Sequence, residues 1–285
     1  MAGTLSSPIL VGRDTAMTPL ISALERATAG EPRVVLIGGD AGLGKTRLVT
    51  EFGARAEADG GRMIVGACLD LRGDGIPYGP FLDALRALGT MIGPEALGGL
   101  LGPVGLELAT LAPGFARYVG ATPEALAALG GPAVRAGADQ ARFFELVLGL
   151  LERLAADKPL VLVLEDLHWS DPATRDLLEF VVRHMERTRL LVIGTLRTFD
   201  LGPGDPLLAY FANLERLPGV ERIDLRPLTA AEQGAQLRAI LGRPVPAAQL
   251  ARIHERAEGN PFFAEELLAS AAESGDGDGD RKSVV

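Results

Sequence analysis

The sequence predicts an α/β fold built around a parallel sheet, and three observations carry that prediction. Short apolar runs rich in Val, Ile and Leu recur at 33–37, 62–67, 160–165, 189–195 and 221–225. Near-continuous apolarity of this kind marks strands covered on both faces, as in a parallel sheet flanked by helices. Segments with helical spacing of apolar residues separate the runs, which supplies the crossovers that parallel strands need. The chain has 285 residues, 47% of them apolar, enough for one large domain or one domain with a small satellite.

The elements follow in order. A first helix is expected over 15–27, and the run at 33–37 ends in a glycine-rich turn from which a second helix opens at Gly44. Asp171-Pro172 is a helix start signal and predicts a third over 172–187. The long stretch 78–158 between the second and third strands has Gly and Pro punctuating alanine- and leucine-rich pieces, and is expected to be a helical insertion. Its final helix, 138–156, carries Phe143, Phe144, Val147, Leu148, Leu151 and Leu154 at core-packing spacing, whereas the broken middle, 91–137, yields no role. Beyond Arg226-Pro227 the pattern changes to short helices. Thr229-Ala230-Ala231-Glu232 is a capping box, and Gly242 is a stop. Leu250, Ile253 and Ala257 share one side of a helix ending at Gly259, and Asn260-Pro261 restarts the chain as N-cap and first helical residue. The expected division is therefore a core over 1–226, a small helical lid over 227–272 and a disordered acidic tail over 273–285. The Asp-Gly alternation of that tail lacks the ligand spacing and closing Glu of a calcium loop.

Charge and composition exclude several classes of function. The formal net charge is -9 and the pI about 5.0, with no dense Lys/Arg cluster, so direct nucleic-acid binding by this segment is not expected. The single cysteine, Cys68, excludes an internal disulfide and any multi-cysteine metal site, fits a reducing compartment, and reads as small core filler. The N-terminus carries no basic region followed by an apolar stretch, and no apolar run approaches the roughly twenty residues of a membrane span. A cytoplasmic chain without membrane contact is expected.

The most informative segment joins the first apolar run to Gly39-Asp40-Ala41-Gly42-Leu43-Gly44-Lys45-Thr46, the pattern G-x-x-x-x-G-K-[ST] of a phosphate-cradling loop. Glycines let the backbone curl around a β-phosphate without a Cβ in the way, and the helix opening at Gly44 points unpaired N–H groups and a positive dipole end at the anion. Lys45 is then placed to neutralise the β and γ oxygens, and the Thr46 hydroxyl to hold magnesium. The plainer alternative is a glycine-rich turn between strand and helix.

A second constellation is consistent with the first. Leu160-Val161-Leu162-Val163-Leu164-Glu165-Asp166 is a hydrophobic strand ending in two acids, one suited to hold magnesium through water and the other to orient an attacking water. Ser170, His168 and Asp171 lie too close in sequence to constitute a hydrolytic triad, which must be assembled in space. Trp169 reads as a buried anchor, and His168 either bonds near a γ-phosphate or closes the turn. The fourth strand ends Gly194-Thr195-Leu196-Arg197, placing a cation at the crevice end of the sheet, where Arg197 can sense a γ-phosphate or pair with Asp200 at the surface. Val11-Gly12-Arg13 lies near the loop if the N-terminal segment folds over the sheet edge.

Taken together, these motifs with Leu225-Arg226-Pro227-Leu228 and Gly259-Asn260-Pro261-Phe262-Phe263-Ala264-Glu265-Glu266-Leu267 resemble the AAA-related ATPase domain of the STAND class, especially that of large LuxR-type regulators of actinobacteria. The resemblance covers about 8–270 and is least specific in the insertion. It implies a P-loop NTPase core of five strands in the order 5-1-4-3-2, with a lid closing over adenine and ribose and ATP or ADP setting an on or off state. It implies nucleotide contacts from Val11, Gly12, Arg13, the loop Gly39–Thr46 with Arg47, and Pro227 on the adenine side. Thr46 and Glu165 then hold Mg2+, Asp166 orients the water and Arg197 senses the γ-phosphate. Many relatives carry Asp where Glu165 stands, which leaves the division of labour between Glu165 and Asp166 open. Full family members continue into a winged helix, a repeat array and a DNA-binding helix-turn-helix, and similar domains are joined to adenylyl cyclase or kinase units. The expected function is a slowly hydrolysing ATP switch module, monomeric with ADP and self-associating with ATP or serving downstream effector domains. The alternatives are an ATPase module of a larger cyclase or kinase, or a non-hydrolysing nucleotide-binding protein.

Overall fold

The computed structural model describes residues 6–70, 77–122, 124, 138–197, 202 and 204–276. The chain forms two compact units, one from Leu20–Gly38 and Phe52–Ile223, the other from Met1–Pro19, Gly39–Glu51 and Asp224–Val285.

The larger unit is built on the sheet. Its strands are β1 (Arg33–Gly38), β2 (Arg62–Ala67), β3 (Leu160–Glu165), β4 (Leu190–Leu196) and β5 (Val220–Asp224). They lie in the order β2-β3-β4-β1-β5, which is 5-1-4-3-2 from the other edge, and the pairs β1/β4, β2/β3 and β3/β4 are parallel. Burial explains the composition: β4 is buried along its whole length and β3 up to Glu165, whereas the outer strand β5 is half-exposed and carries Glu221 and Arg222. Charges on an outer strand discourage pairing with another chain. No described helix is long and apolar enough to cross a membrane.

Two helices flank β1 in sequence, α1 (Asp14–Thr28) and α2 (Lys45–Ala58). Between β2 and β3 run α3 (Gly79–Ile92), α4 (Pro94–Leu101), α5 (Pro103–Leu111), a 3₁₀ turn at Pro113–Phe115, α6 (Ala116–Val119) and α7 (Ala138–Asp157). The Gly-Pro pairs set the breaks: Gly93 and Gly102 adopt positive φ, 86° and 52°, and each is followed by a proline in the first turn of the next helix. Glycine ends one helix and proline begins the next because each suits the backbone there. Part of the stretch that yielded no role, 91–137, is thus a set of short helices whose Leu97, Leu101, Val104 and Leu108 are buried; residue 123 and residues 125–137 lie outside the described residues. The predicted core face of α7 is buried at all six positions, and Phe143 meets Tyr78 with ring centroids 4.9 Å apart.

After β3, a 3₁₀ turn at Leu167–Trp169 leads into α8 (Pro172–His184), capped by Asp171, whose side chain accepts from the Thr174 N–H at 3.0 Å. The helix stops short of the expected 187 because Met185 turns extended and Arg187 takes a left-handed backbone, φ 47°. A further helix, α9 (Pro206–Leu214), was not expected; Asp205 caps it, accepting from the Leu207 N–H at 2.8 Å.

The smaller unit holds α10 (Ala230–Leu241), α11 (Ala247–Ala257) and α12 (Pro261–Asp276). Leu237, Ile253, Ala257, Ala264 and Leu268 form their shared core, with Leu250 packed against it. The capping box is present in both directions, Glu232 Oε2 accepting from the Thr229 N–H at 2.7 Å and Thr229 Oγ1 from the Glu232 N–H at 3.3 Å. Gly242 ends α10 with φ 64°. The backbone of α12 continues through Asp276, four residues past 272, and 277–285 lie outside the described residues.

Candidate functional site

The phosphate-cradle sequence forms an open loop in the smaller unit. Gly39, Gly42 and Gly44 have φ of 149°, 80° and 88°, a backbone that side chains with a Cβ rarely adopt. At Gly42 there is a second reason, since an added Cβ would lie 2.6 Å from Asn260 Oδ1 and 3.1 Å from Phe262 Cβ. Helix α2 starts at Lys45, so its first N–H groups face the loop. The buried Lys45 ammonium donates to the carbonyls of Gly39 at 2.6 Å and Asp40 at 3.0 Å. A phosphate at this loop would meet the ammonium and the helix N–H groups together. Thr46 is exposed in the first turn of α2, followed by Arg47, which donates to Ser6 Oγ at 3.2 Å.

Two side chains tie this loop to its neighbours. Arg13, buried, donates to Gly12 O at 3.2 Å, Arg226 O at 3.0 Å and Leu43 O at 2.8 Å. Burial pushes its guanidinium below the ordinary value, with Glu232 pulling the other way. Gly12 (φ 65°) has no room for a Cβ, which would lie 2.7 Å from Glu232 Cδ. Asn260 was expected only as an N-cap. Its Oδ1 does accept from the Phe262 N–H at 3.1 Å, but its Nδ2 also donates to Ala41 O at 2.8 Å, so the start of α12 is bonded to the loop. A sequence signal existed in the placement of a two-sided amide, rather than an acid, at the cap.

Beside the loop is a small cleft, partly open to solvent. Val11 and Arg13 contribute to it from the N-terminal segment, Leu43 and Arg47 from the loop and α2, and Leu228 and Gln236 from the helical part. Pro227 itself packs toward Gly259, while its neighbour Leu228 lines the cleft. Glu265, part of the motif that carries the family resemblance but given no role there, and Gln236 also line it; Gln236 was missed because nothing in its local spacing distinguishes it from an ordinary polar helix position.

The other candidate residues gather in the larger unit, at the carboxyl end of the sheet. Gly38, the last residue of β1, pairs with Leu196 of β4, and Leu164 of β3 pairs with Gly194. Glu165, Arg197 and the chain leaving β1 therefore emerge at one end, with β4 between the acid-tipped strand and β1. Glu165 Oε1 is buried and has no hydrogen-bond partner among the described residues, which suits an acceptor kept for a metal ion or a water. Asp166 has a left-handed backbone, φ 56°, and its N–H donates to Thr195 Oγ1 at 2.9 Å. Such strain concentrates where a side chain must be aimed. Among the described residues no group of three or more His, Cys, Asp or Glu side chains could enclose a metal. Magnesium is suited to such a place because it keeps several waters and takes one or two carboxylates plus phosphates.

Around these acids the His168 ring closes the turn: its Nδ1 accepts from the Arg197 N–H at 3.4 Å and lies 3.9 Å from Asp166 Oδ1. Trp169 departs from the expected buried anchor, being 37% exposed, with the Arg197 guanidinium carbon 5.0 Å from its ring centroid. The ring serves as a platform for a cation instead of filling the core. Asp200, the alternative partner of Arg197, lies outside the described residues. Gly194 is required here, since a Cβ would lie 2.5 Å from Leu167 Cδ1 and 3.1 Å from Leu36 Cδ2.

An uncharacterized protein of Rhizobium meliloti (strain 1021) is 29% identical over 252 residues, covering 83% of this chain, which spans only 22% of that relative's length. Among solved structures, Drosophila ORC bound to DNA is similar at a TM-score of 0.55 and 14% identity, over 96% of this chain and 59% of that one. A STAND protein with a tetratricopeptide repeat sensor from Pyrococcus horikoshii is similar at a TM-score of 0.48 and 18% identity, over 91% of this chain and 30% of that one. Residues 9–193, well over half of the chain, match the AAA ATPase domain, and the chain belongs to that family.

Proposed function

We propose that the chain is an ATP-binding, slowly hydrolysing regulatory switch module of the STAND class, working within a larger signalling or transcription-regulating protein. The observation that carries this reading is the pair of tethers on the loop. Arg13 bonds Leu43 and Arg226, and Asn260 bonds Ala41, so a change at the anion cradle is felt by the N-terminal segment and by the helices after Pro227. A switch needs two arrangements that a ligand favours unequally, and these bonds are contacts that a ligand at the loop would strengthen or break.

In this mechanism the Gly39–Gly44 backbone and Lys45 bind and orient the phosphates, and Arg47, Val11, Gly12 and Leu228 beside Pro227 enclose the nucleoside. Thr46 and Glu165 are the residues that would hold magnesium, which would supply charge neutralisation at the phosphate oxygens. Asp166 orients the attacking water and accepts its proton, and Arg197, resting on Trp169, reports the γ-phosphate. A non-hydrolysing binding protein is the competing reading. The deciding experiment measures nucleotide affinity by calorimetry and phosphate release on the purified chain. Lys45→Ala is expected to weaken ATP binding by about 10- to 100-fold, the worth of a charge-assisted contact. Asp166→Asn is expected to keep binding and to lower phosphate release by about 100-fold. Unchanged affinity in the first variant overturns nucleotide binding at this loop, and unchanged release in the second favours the non-hydrolysing protein.

A further inference from the structure

One peptide joins the two acids at the end of β3, and both of its polar atoms are held. The Glu165 carbonyl accepts from the Cys68 N–H at 2.9 Å on the β2 side, and the Asp166 N–H donates to Thr195 Oγ1 at 2.9 Å on the β4 side. A planar peptide gripped at both atoms cannot turn, and its orientation fixes where each carboxylate leaves the backbone. The first contact joins backbone to backbone and survives any substitution. The second depends on a side chain. Regular pairing of β3 with β4 ends at Leu164 and Gly194, so one residue further the Thr195 hydroxyl takes the place of a ladder acceptor. Thr195 is 2% exposed within β4, and its branched Cβ leaves it little rotational freedom. The strand end is held in return, because the Arg197 N–H donates to His168 Nδ1 at 3.4 Å. Under this grip Asp166 keeps its left-handed backbone, φ 56°, while its side chain is 31% exposed and within reach of water. A residue other than glycine holds such a φ only where its surroundings enforce it.

We infer that Thr195 is a positioning residue for phosphate release, its hydroxyl oxygen fixing the Glu165–Asp166 peptide so that the Asp166 carboxylate meets the attacking water. This rests on the hydrolytic reading proposed above and adds to it the side chain that aims the acid. Valine has the shape of threonine without the acceptor, and would leave the Asp166 N–H facing a methyl group. The peptide then turns towards another partner and the carboxylate turns with it. A shift of about 1 Å at a reacting group is enough to remove much of the rate. Phosphate binding is assigned to the Gly39–Gly44 backbone and Lys45, so the loss falls on turnover and not on affinity.

The test measures ATP affinity by calorimetry, and phosphate release at saturating ATP, on the full chain carrying Thr195→Val, Thr195→Ala or Thr195→Ser. The first two both remove the acceptor but pack differently, so a folding defect in one leaves the other to decide. Both are expected to lower release about tenfold with affinity within about twofold of wild type, whereas Thr195→Ser, which keeps the oxygen, stays within about twofold in both. Added to Asp166→Asn, Thr195→Val should lower release by less than a further factor of about two, since the acid it aims is gone. A merely structural threonine would cost the same factor in both backgrounds. Unchanged release without the hydroxyl, an equal loss in Thr195→Ser, a loss of affinity as large as the loss of rate, or a full additional loss on top of Asp166→Asn each overturns the inference. Asp166→Asn that by itself leaves release unchanged overturns the hydrolytic reading instead, and the two failures are told apart by that single variant.

Discussion

At the scale of single residues, the chemistry is set by what burial does to each group. Cys68, just past β2, is buried, and burial foremost, with Asp171 and Asp166 adding to it, pushes its thiol up from 9.0 to about 12. Since the folded value is the higher one, the contribution to stability is complete below pH 9.0 and is lost as pH rises from there towards about 12. Only the thiolate is nucleophilic, so the native chain at pH 8.5 should react with a thiol-specific disulfide reagent on the order of a hundredfold more slowly than the chain in urea. Equal rates in the two states would show an accessible thiolate and refute the assignment. The core-filler role of Cys68 was legible from its isolation in an apolar context. The platform role of Trp169 was not, because a tryptophan after a strand carries no mark of which face it turns to solvent.

At the scale of elements, the ends of helices do most of the positioning. Asp171, Asp205 and Thr229 are side-chain caps of the ordinary kind, and the first and last are read from residue types a few positions apart. Asn260 differs because its two functions point in opposite directions, oxygen to the start of α12 and nitrogen to the loop. Replacing it with alanine should lower the stability of the helical part by about 1–2 kcal/mol, the cost of a cap, seen as a lower urea midpoint. Asn260→Asp keeps the cap and removes the donor to Ala41, and should weaken nucleotide binding while leaving most of that stability. An aspartate variant with unaltered affinity would mean that the tether to the loop does not act on the ligand. The Gly-Pro breaks between α3, α4 and α5 were visible in the sequence, but their helices were too short to stand out by periodicity.

For the molecule as a whole, the formal net charge is -9, which favours mutual repulsion between copies. The chain spans about a fifth of the length of the Rhizobium relative. In the proposed switch, the module is closed with ADP, and sedimentation should show a monomer in ADP and larger species only with ATP. A stable ring formed without any ATP would overturn that coupling between nucleotide and assembly.

The sequence by itself determined the strands, the anion cradle, the paired acids and the helix caps, because each depends on residues within a few positions of one another: apolar runs, glycines free to take positive φ, a capping box. The strand order followed from resemblance to a family and not from spacing, since hydrogen bonding between β3, β4 and β1 joins residues far apart in the chain. Only the tertiary structure decided that Arg13 spends its guanidinium on three carbonyls, that Gly194 must lack a Cβ to admit Leu167, and that the buried Gln236 oxygen has no partner among the described residues. Those facts arise where separate segments meet, and whether a polar atom is satisfied there depends on every neighbour at once.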